Sequence, residues 1–191
     1  MGYGEDRAMT DAQLLSVSAC FAPTDLLIFS DLPETLYSRN AIDILANLPH
    51  AYRTNPNGKP NPDYTNYKAI ASLARAGQPI PQNDPAYGLN GWRLDKYKFL
   101  ASVERAWTMR PGRDFYVFYE PDIYISWDNM FRFLSTLDPD ALLYMGSLSP
   151  GRRDERRGVD TWFANGGPGF VLSRGAIRRL LGRRGGGPVG G

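Results

Sequence analysis

One cysteine and one histidine occur in 191 residues. The lone thiol, Cys20, closes no disulfide within the chain, so cysteine usage leaves the redox compartment open. Its expected role is that of a small packing residue. The lone imidazole, His50, follows Pro49 in a loop and gives little ground for histidine catalysis. No run approaches the roughly 18 consecutive apolar residues of a membrane helix. The start, Met1-Gly-Tyr-Gly-Glu-Asp-Arg7, is polar and lacks the apolar centre of a signal peptide. No Asn-x-Ser/Thr sequon is present. Charge of one sign is also scarce, since the formal net charge is only +2. Taken as written, these absences describe a soluble chain with no membrane segment and no nucleic-acid partner.

Apolar material is not scarce. Hydrophobic residues make up 42% of the chain and aromatics 13%, enough to build a core and to set disorder aside except at the ends. The length fits one domain or most of one. The basic residues are concentrated locally. Arg152, Arg153, Arg156 and Arg157 form one cluster; Arg174, Arg178, Arg179, Arg183 and Arg184 form another. Such clusters can meet phosphate, but the plainer reading is a solvated face.

Asp25-Leu-Leu-Ile-Phe-Ser-Asp31 has the length and bounds of a buried strand. Residues Thr35 to Leu48 are expected to be helical. Arg53 to Gly91 is rich in Pro, Asn and Gly and reads as a long connection, closed by Asn90-Gly91, with a short helix around Tyr67 to Ala76. Connections this long usually cover a site or move. Trp92 to Met109 reads as a helix with Leu94, Tyr97, Ala101, Glu104 and Trp107 along one side and Lys96, Lys98 and Arg105 elsewhere. Pro111-Gly112 ends it.

The aromatic run Phe115 to Tyr119 is expected to be a central strand. Ser126 suits an N-cap, with Asp128 in the first turn and Trp127, Met130, Phe131, Leu134 and Leu137 as a buried stripe. Ala141 to Met145 and Phe170 to Ser173 read as strands. Ser173 then caps a helix carrying Ile177, Leu180 and Leu181. The alternation of strands and helices argues for an α/β fold built as an α/β/α sandwich around a mostly parallel sheet. The expected organisation is an N-terminal extension over 1–19, an α/β domain over 20–181, and a disordered Gly/Arg tail over 182–191.

In open α/β sheets, ligands bind beyond the carboxyl ends of the strands. Two strands here end in acids, one at Asp31 and one at Glu120 and Asp122. Pro121 donates nothing to a ladder and favours a break that aims both of the latter acids at one place. Their hard oxygen character suits Mg²⁺ or Mn²⁺ bound together with a diphosphate. A Glu-x-Asp pair alone is a common turn or capping element, and that reading stays beside the functional one.

The surrounding blocks add to the pair. Glu120-Pro-Asp122 is followed by Ile-Tyr-Ile-Ser-Trp-Asp-Asn-Met130. Upstream stands Gly91-Trp-Arg-Leu-Asp-Lys-Tyr-Lys-Phe-Leu100, and downstream Gly166-Gly-Pro-Gly-Phe-Val-Leu-Ser173. In this order they resemble the fringe-like β-1,3-glycosyltransferases (glycosyltransferase family 31), in particular their fungal branch. Asp25 to Asp31 is similar to that family's first strand. The resemblance covers roughly Cys20 to Leu181. It implies a GT-A-like (Rossmann-like) fold, a UDP-sugar donor, a divalent metal, usually Mn²⁺, inversion at the sugar carbon, and a glycan or glycoprotein acceptor. It also implies a Golgi or secretory-pathway membrane setting, and it admits galactosyl transfer to N-acetylgalactosamine.

Carried over by position, Asp122 is the implied metal ligand and Glu120 lies near the ribose or metal-bound water. Ser30 and Asp31 face the nucleoside. Asp95 and Lys96 start a helix near the donor, with Lys96 reaching phosphate. Gly166, Gly167 and Gly169 approach the sugar and acceptor closely with no side chains in the way. Trp162, beside them, is the best sugar platform among the tryptophans. Lys96 also suits ordinary surface charge, and the glycine block an ordinary tight turn.

Two departures from the family pattern stand out. Pro121 occupies the middle of the acid motif and stiffens it. The acidic general base expected after the glycine block has no counterpart before the Gly/Arg tail, so the catalytic base is unassigned. Asp154, Glu155 and Asp160 precede the block and could substitute only by coincidence. An inverting displacement needs such a base. The sequence therefore reads as truncated at both ends, or as an inactive copy that keeps a nucleotide-sugar pocket.

Overall fold

The computed structural model describes residues 7–80 and 91–182. The Gly/Arg tail from 183 onward, the connection over 81–90 and the first six residues of the N-terminal extension lie outside them. The chain divides into two compact units, Met1–Arg105 and Ala106–Gly191.

The first unit begins with helix α1 (Arg7–Leu15), which buries Thr10, Gln13 and Leu14. Strand β1 (Ile28–Ser30) is shorter than the expected run. Strands β2 (Glu34–Leu36) and β3 (Arg39–Asp43) stand where a helix was expected over Thr35 to Leu48. Tyr37, at φ 54°, makes the two-residue turn between them, a conformation no α-helix contains. The Asp43 carboxylate accepts from the Leu45 and Ala46 N–H groups at 2.9 and 3.0 Å and fixes a turn. It captures backbone donors that a helix would need. The apolar spacing of Leu36, Ile44, Leu45 and Leu48 is thus shared between a hairpin and a turn. β3 pairs parallel with β1 and antiparallel with β2, giving the order β1-β3-β2.

A four-residue helix, α2 (His50–Arg53), precedes α3 (Pro62–Arg75). α3 extends the helix expected around Tyr67 to Ala76 toward its N-terminus. Asn61 caps it by accepting from Asp63 N–H, and Pro62 fills the first position, where its missing donor costs nothing. Tyr67, Ile70 and Ala71 are its buried face and join Leu32, Ile44, Leu45, Leu48 and Leu94 in one core cluster. A 3₁₀ turn (Gly91–Leu94) leads into α4 (Asp95–Met109). The buried positions of α4 include Lys98, Ser102, Val103 and Ala106. The expected apolar side is rotated from this: Glu104 is exposed, and Tyr97, Ala101 and Trp107 are half-buried. Cys20 is also exposed, not packed.

In the second unit, β4 (Phe115–Phe118), α5 (Trp127–Leu134) and β5 (Tyr144–Gly146) follow the expected order. A hairpin of β6 (Leu148–Asp154) and β7 (Val159–Ala164) comes next, then β8 (Phe170–Ser173) and α6 (Arg174–Gly182). The sheet order is β4-β8-β5, with β8 antiparallel to both neighbours. β8 is therefore the central strand, buried at all four residues, and β4 lies at the edge of this sheet. β4 and β5 run in the same direction with α5 between them, as a β-α-β unit would. β8 inserts between them, which strand-helix alternation does not reveal. The fold is mixed α/β with small sheets, and β1–β3 is its one parallel ladder among the described residues.

α6 is held at its start. Ser173 Oγ accepts from Ala176 N–H at 3.1 Å, as expected of a cap. Arg174 donates to Asp114 at 2.6 Å and, in a two-pronged pair, to Asp140 at 2.9 and 2.8 Å. α5 departs from its expected stripe. Leu134 is its one buried residue, whereas Phe131 stacks on Trp127 and is 52% exposed. Ser126 stands at the N-cap position but its side chain makes no cap bond. None of the described helices is long and apolar enough to cross a membrane.

Candidate functional site

β4 delivers the acid motif. Beyond Phe118 the chain leaves the ladder, and Ile123 N–H donates to Glu120 O at 3.2 Å. This closes a β-turn over Glu120–Ile123 with Pro121 at its second position, where a fixed φ favours the turn. Glu120 is half-buried and Asp122 is exposed. Both acids therefore stand on one tight turn at the end of one strand. The Asp122 carboxylate makes no hydrogen bond or ion pair among the described residues.

The glycine block meets that turn from the neighbouring strand. Phe118 pairs with Phe170, so the loop entering β8 lies beside the end of β4. Gly169 has φ +87°, and a Cβ there would stand 2.8 Å from Phe118 O and 3.3 Å from Tyr119 Cβ. Only glycine allows this approach. Gly169 N–H donates to Gly166 O at 3.0 Å, and Gly167 N–H to Asn165 Oδ1 at 3.1 Å. A Cβ on Gly167 would meet only Asn165 Oδ1, at 3.7 Å, so space around it is free. Gly169 is thus explained by packing against β4, while Gly167 faces open space. Gly166, Gly167, Gly169, Glu120 and Asp122 share one end of the sheet. Trp162 stands on β7, two residues before the buried Ala164, and is 63% exposed.

The remaining expected residues lie in the first unit. Ser30 and Asp31 are buried at the end of β1, with Ser30 Oγ 3.4 Å from Asp31 Oδ1. Lys98, buried on α4, reaches Asp31 Oδ2 at 3.6 Å and Asp95 Oδ1 at 2.8 Å. Asp31 and Asp95 are thus brought together by a lysine that periodicity had set aside. The signal that could have found it is its i, i+3 spacing from Asp95.

Lys96 is engaged elsewhere. Its Nζ lies 2.6 Å from Asp63 Oδ2, while Arg93 Nε lies 3.3 Å from Asp63 Oδ1. Tyr97 OH donates to Asp63 Oδ2 at 3.0 Å and accepts from Asn61 Nδ2 at 2.9 Å. Burial alone would raise the Asp63 carboxyl. The hydrogen bonds from Lys96 and Tyr97 and the charges of Lys96 and Arg93 outweigh it and hold the group below its ordinary value. The same hydrogen bond holds Lys96 above its own.

Comparison with known proteins gives one family. The Fringe-like family model matches residues 94–189, just over half of the chain, and spans the acid turn, the hairpin and the glycine block. No curated protein and no solved structure was found to match. On the strength of that match and the blocks it contains, the chain belongs to the Fringe-like family, which suggests a glycosyltransferase.

Proposed function

We propose that the chain is the donor-binding part of a metal-dependent glycosyltransferase. It would carry a hexose or N-acetylhexosamine from a UDP-sugar to a hydroxyl of a glycan or glycoprotein. The observation that carries this reading is the packing of Gly169 onto the strand end that bears Glu120 and Asp122, inside the family-matched segment. Inversion, a β-1,3 linkage, a GT-A-like arrangement and a Golgi setting come with the resemblance of the sequence blocks to that family.

The acids fit the metal that this chemistry uses. Mn²⁺ and Mg²⁺ prefer oxygen ligands, and Mg²⁺ typically takes one or two carboxylates together with substrate phosphates and water. Among the described residues no group of three acids, histidines or cysteines is placed to hold an ion. A site of two carboxylates needs the diphosphate to complete it. Asp122 would hold the ion, with Glu120 beside it or the ribose. When bound, the ion supplies neutralisation of charge on the departing nucleotide. Gly166 and Gly167 leave room for the sugar, with Trp162 as its platform. The resemblance also assigns Ser30, Asp31 and Asp95 to the nucleoside, but Asp31 and Asp95 are engaged by Lys98, and in this reading they serve the fold of the first unit. Lys96 would have to exchange Asp63 for a phosphate.

A second reading, a nucleotide-sugar-binding module without turnover, is favoured by the state of the acids near the glycine block. Asp160 is paired with Arg153 at 3.0 Å, and Asp154 Oδ1 accepts from Arg156 and Arg157 N–H at 3.0 and 3.2 Å. Acids so engaged are poor candidates for a base that must reach an acceptor hydroxyl. Calorimetry with UDP separates the readings from their failure. Binding is expected with Mn²⁺ and not without it, and Asp122→Ala is expected to abolish it. No binding of UDP to folded protein in either condition would remove both readings, whereas measured sugar transfer would remove the second.

A further inference from the structure

Helix α5 leaves in water much of the stripe that its spacing predicts to be buried. Trp127 and Phe131 share one side of it, with ring centroids 5.8 Å apart and planes 29° from parallel. Phe131 is 52% exposed and Trp127 is half-buried. The row of rings does not end at the helix. Tyr119 meets Trp127 edge to face, with centroids 5.6 Å apart. Tyr119 also stands against the glycine loop, since a Cβ on Gly169 would come within 3.3 Å of its own Cβ. The row therefore starts at the end of β4, where Glu120 follows Tyr119, and runs out along α5. Tyr124, on the segment between Asp122 and α5, adds a further ring at 80% exposure.

Polar groups border the row. Asp128 and Arg132 each follow a ring by one position, so they occupy the next row around the helix. Both are exposed, and their side chains make no hydrogen bond or ion pair among the described residues. The strip is thus apolar along its middle, lined by one acid and one base, and continuous with the turn and loop that carry the donor reading.

We infer that this row is the acceptor subsite, and that it holds sugar rings of a neutral glycan beyond the one that is glycosylated. The inference rests on the glycosyltransferase reading and names where that site takes its acceptor. A pyranose has a C–H face that packs on aromatic rings, and hydroxyls at its edge that bond to carboxylate and guanidinium groups. The row and its border offer both. Direction separates acceptor from donor: the diphosphate and its sugar belong to the acid turn and glycine loop, and the row leads away from them. Size separates a glycan from a protein. Eight helical residues span about 12 Å and a helix is roughly 10 Å wide, a footprint on the order of 100 Å². A stable protein interface needs about 800 Å² per partner. Charge separates it from a lipid surface, which an amphipathic helix meets with lysines and arginines around its aromatic face. Here Asp128 stands beside Trp127 and offsets Arg132, which also suits a ligand without charge.

The test uses the full chain and a panel of neutral β-linked hexasaccharides of glucose, galactose and N-acetylglucosamine, read by calorimetry. At least one is expected to bind the wild type. Phe131→Ala is expected to weaken that binding about tenfold and to leave Mn²⁺-dependent UDP binding unchanged. Phe131→Leu keeps an apolar side chain without the ring and is expected to weaken it nearly as much, which covers an alanine variant that fails to fold. Asp128→Ala is expected to cost less, about fivefold. No binding of any member of the panel by protein that binds UDP would overturn the inference. So would binding that neither Phe131 variant changes. A dimer that Phe131→Ala dissociates in sedimentation, or adsorption to phosphatidylserine vesicles that it abolishes, would give the row to another occupant and overturn it too. UDP binding by the same wild-type sample is the separate readout. Its absence counts against the donor reading, whereas absence of hexasaccharide binding with UDP binding intact counts against the acceptor row alone.

Discussion

Asp31 and Asp63 in the first unit and Asp122 in the second are handled in opposite ways. Asp31 is 2% exposed beside the buried ammonium of Lys98, and Asp63 is 7% exposed under Lys96, Arg93 and Tyr97. Asp122 stands in water on a proline turn, with no partner among the described residues. A carboxylate taken out of water needs an opposite charge or several donors, and once these are in place its valence is spent on the fold. A carboxylate left exposed and unpaired costs the fold nothing and stays available to a ligand. The contrast distinguishes an acid that organises a unit from an acid that can bind something, although strand-end position makes both look alike in sequence.

Replacing Lys98 breaks the contrast hardest. Lys98→Met keeps the length and apolar stem but takes away the ammonium that Asp31 and Asp95 share. Removing one partner of a buried pair typically costs 3–5 kcal/mol, and the 3.6 Å separation from Asp31 puts the expected loss near the lower bound, about 3 kcal/mol in urea unfolding. A loss below about 1 kcal/mol would mean that Asp31 is not held by this charge. Asp63→Ala comes next, at about 2 kcal/mol, because Lys96 and Arg93 are more than half exposed and water can replace their partner. The Asp63 effect also depends on pH. The folded carboxyl lies below its ordinary value, so its contribution is complete above the unfolded pKa of about 3.9 and is lost as pH falls through the folded value. The difference in melting temperature between wild type and Asp63→Asn should therefore be full at pH 7 and shrink below pH 4. A constant difference would show that the carboxylate charge is not what Asp63 contributes.

The legible parts of the molecule were those decided by local rules. Ser173 and the aromatic run at Phe115 each fix an element end or a strand within a few residues, and the structure follows them. The acid turn was legible for the same reason, since Pro121 between two acids at a strand end is itself local. The rest depended on long-range pairing. β8 reaches its place between β4 and β5 across 24 or more residues, so the direction of the sheet could not be read from alternation. No strand was expected between Met145 and Phe170, yet a register shift admits Pro150 and Gly151 into one. Lys98 read as solvent-facing because lysine usually is, and burial was decided by Asp31, which lies 67 positions away.

Asp122 gives the smallest effect on stability and the sharpest use of the comparison. Asp122→Ala removes a side chain with no partner among the described residues from an exposed turn whose closing bond is made by backbone, Ile123 N–H to Glu120 O. Nothing buried loses a contact, so the expected change in unfolding free energy is within about 0.5 kcal/mol. The proline that sets the turn is untouched. Set beside Lys98→Met and Asp63→Ala, which weaken the fold by several times that amount, this variant should remain folded while Mn²⁺-dependent UDP binding disappears. If it instead unfolds as readily as the Asp63 variant, Asp122 is holding structure and the division between tied and untied acids fails where it carries the functional reading. If it folds normally and still binds UDP with Mn²⁺, the division survives but the ion is held elsewhere, and Glu120 becomes the residue to replace.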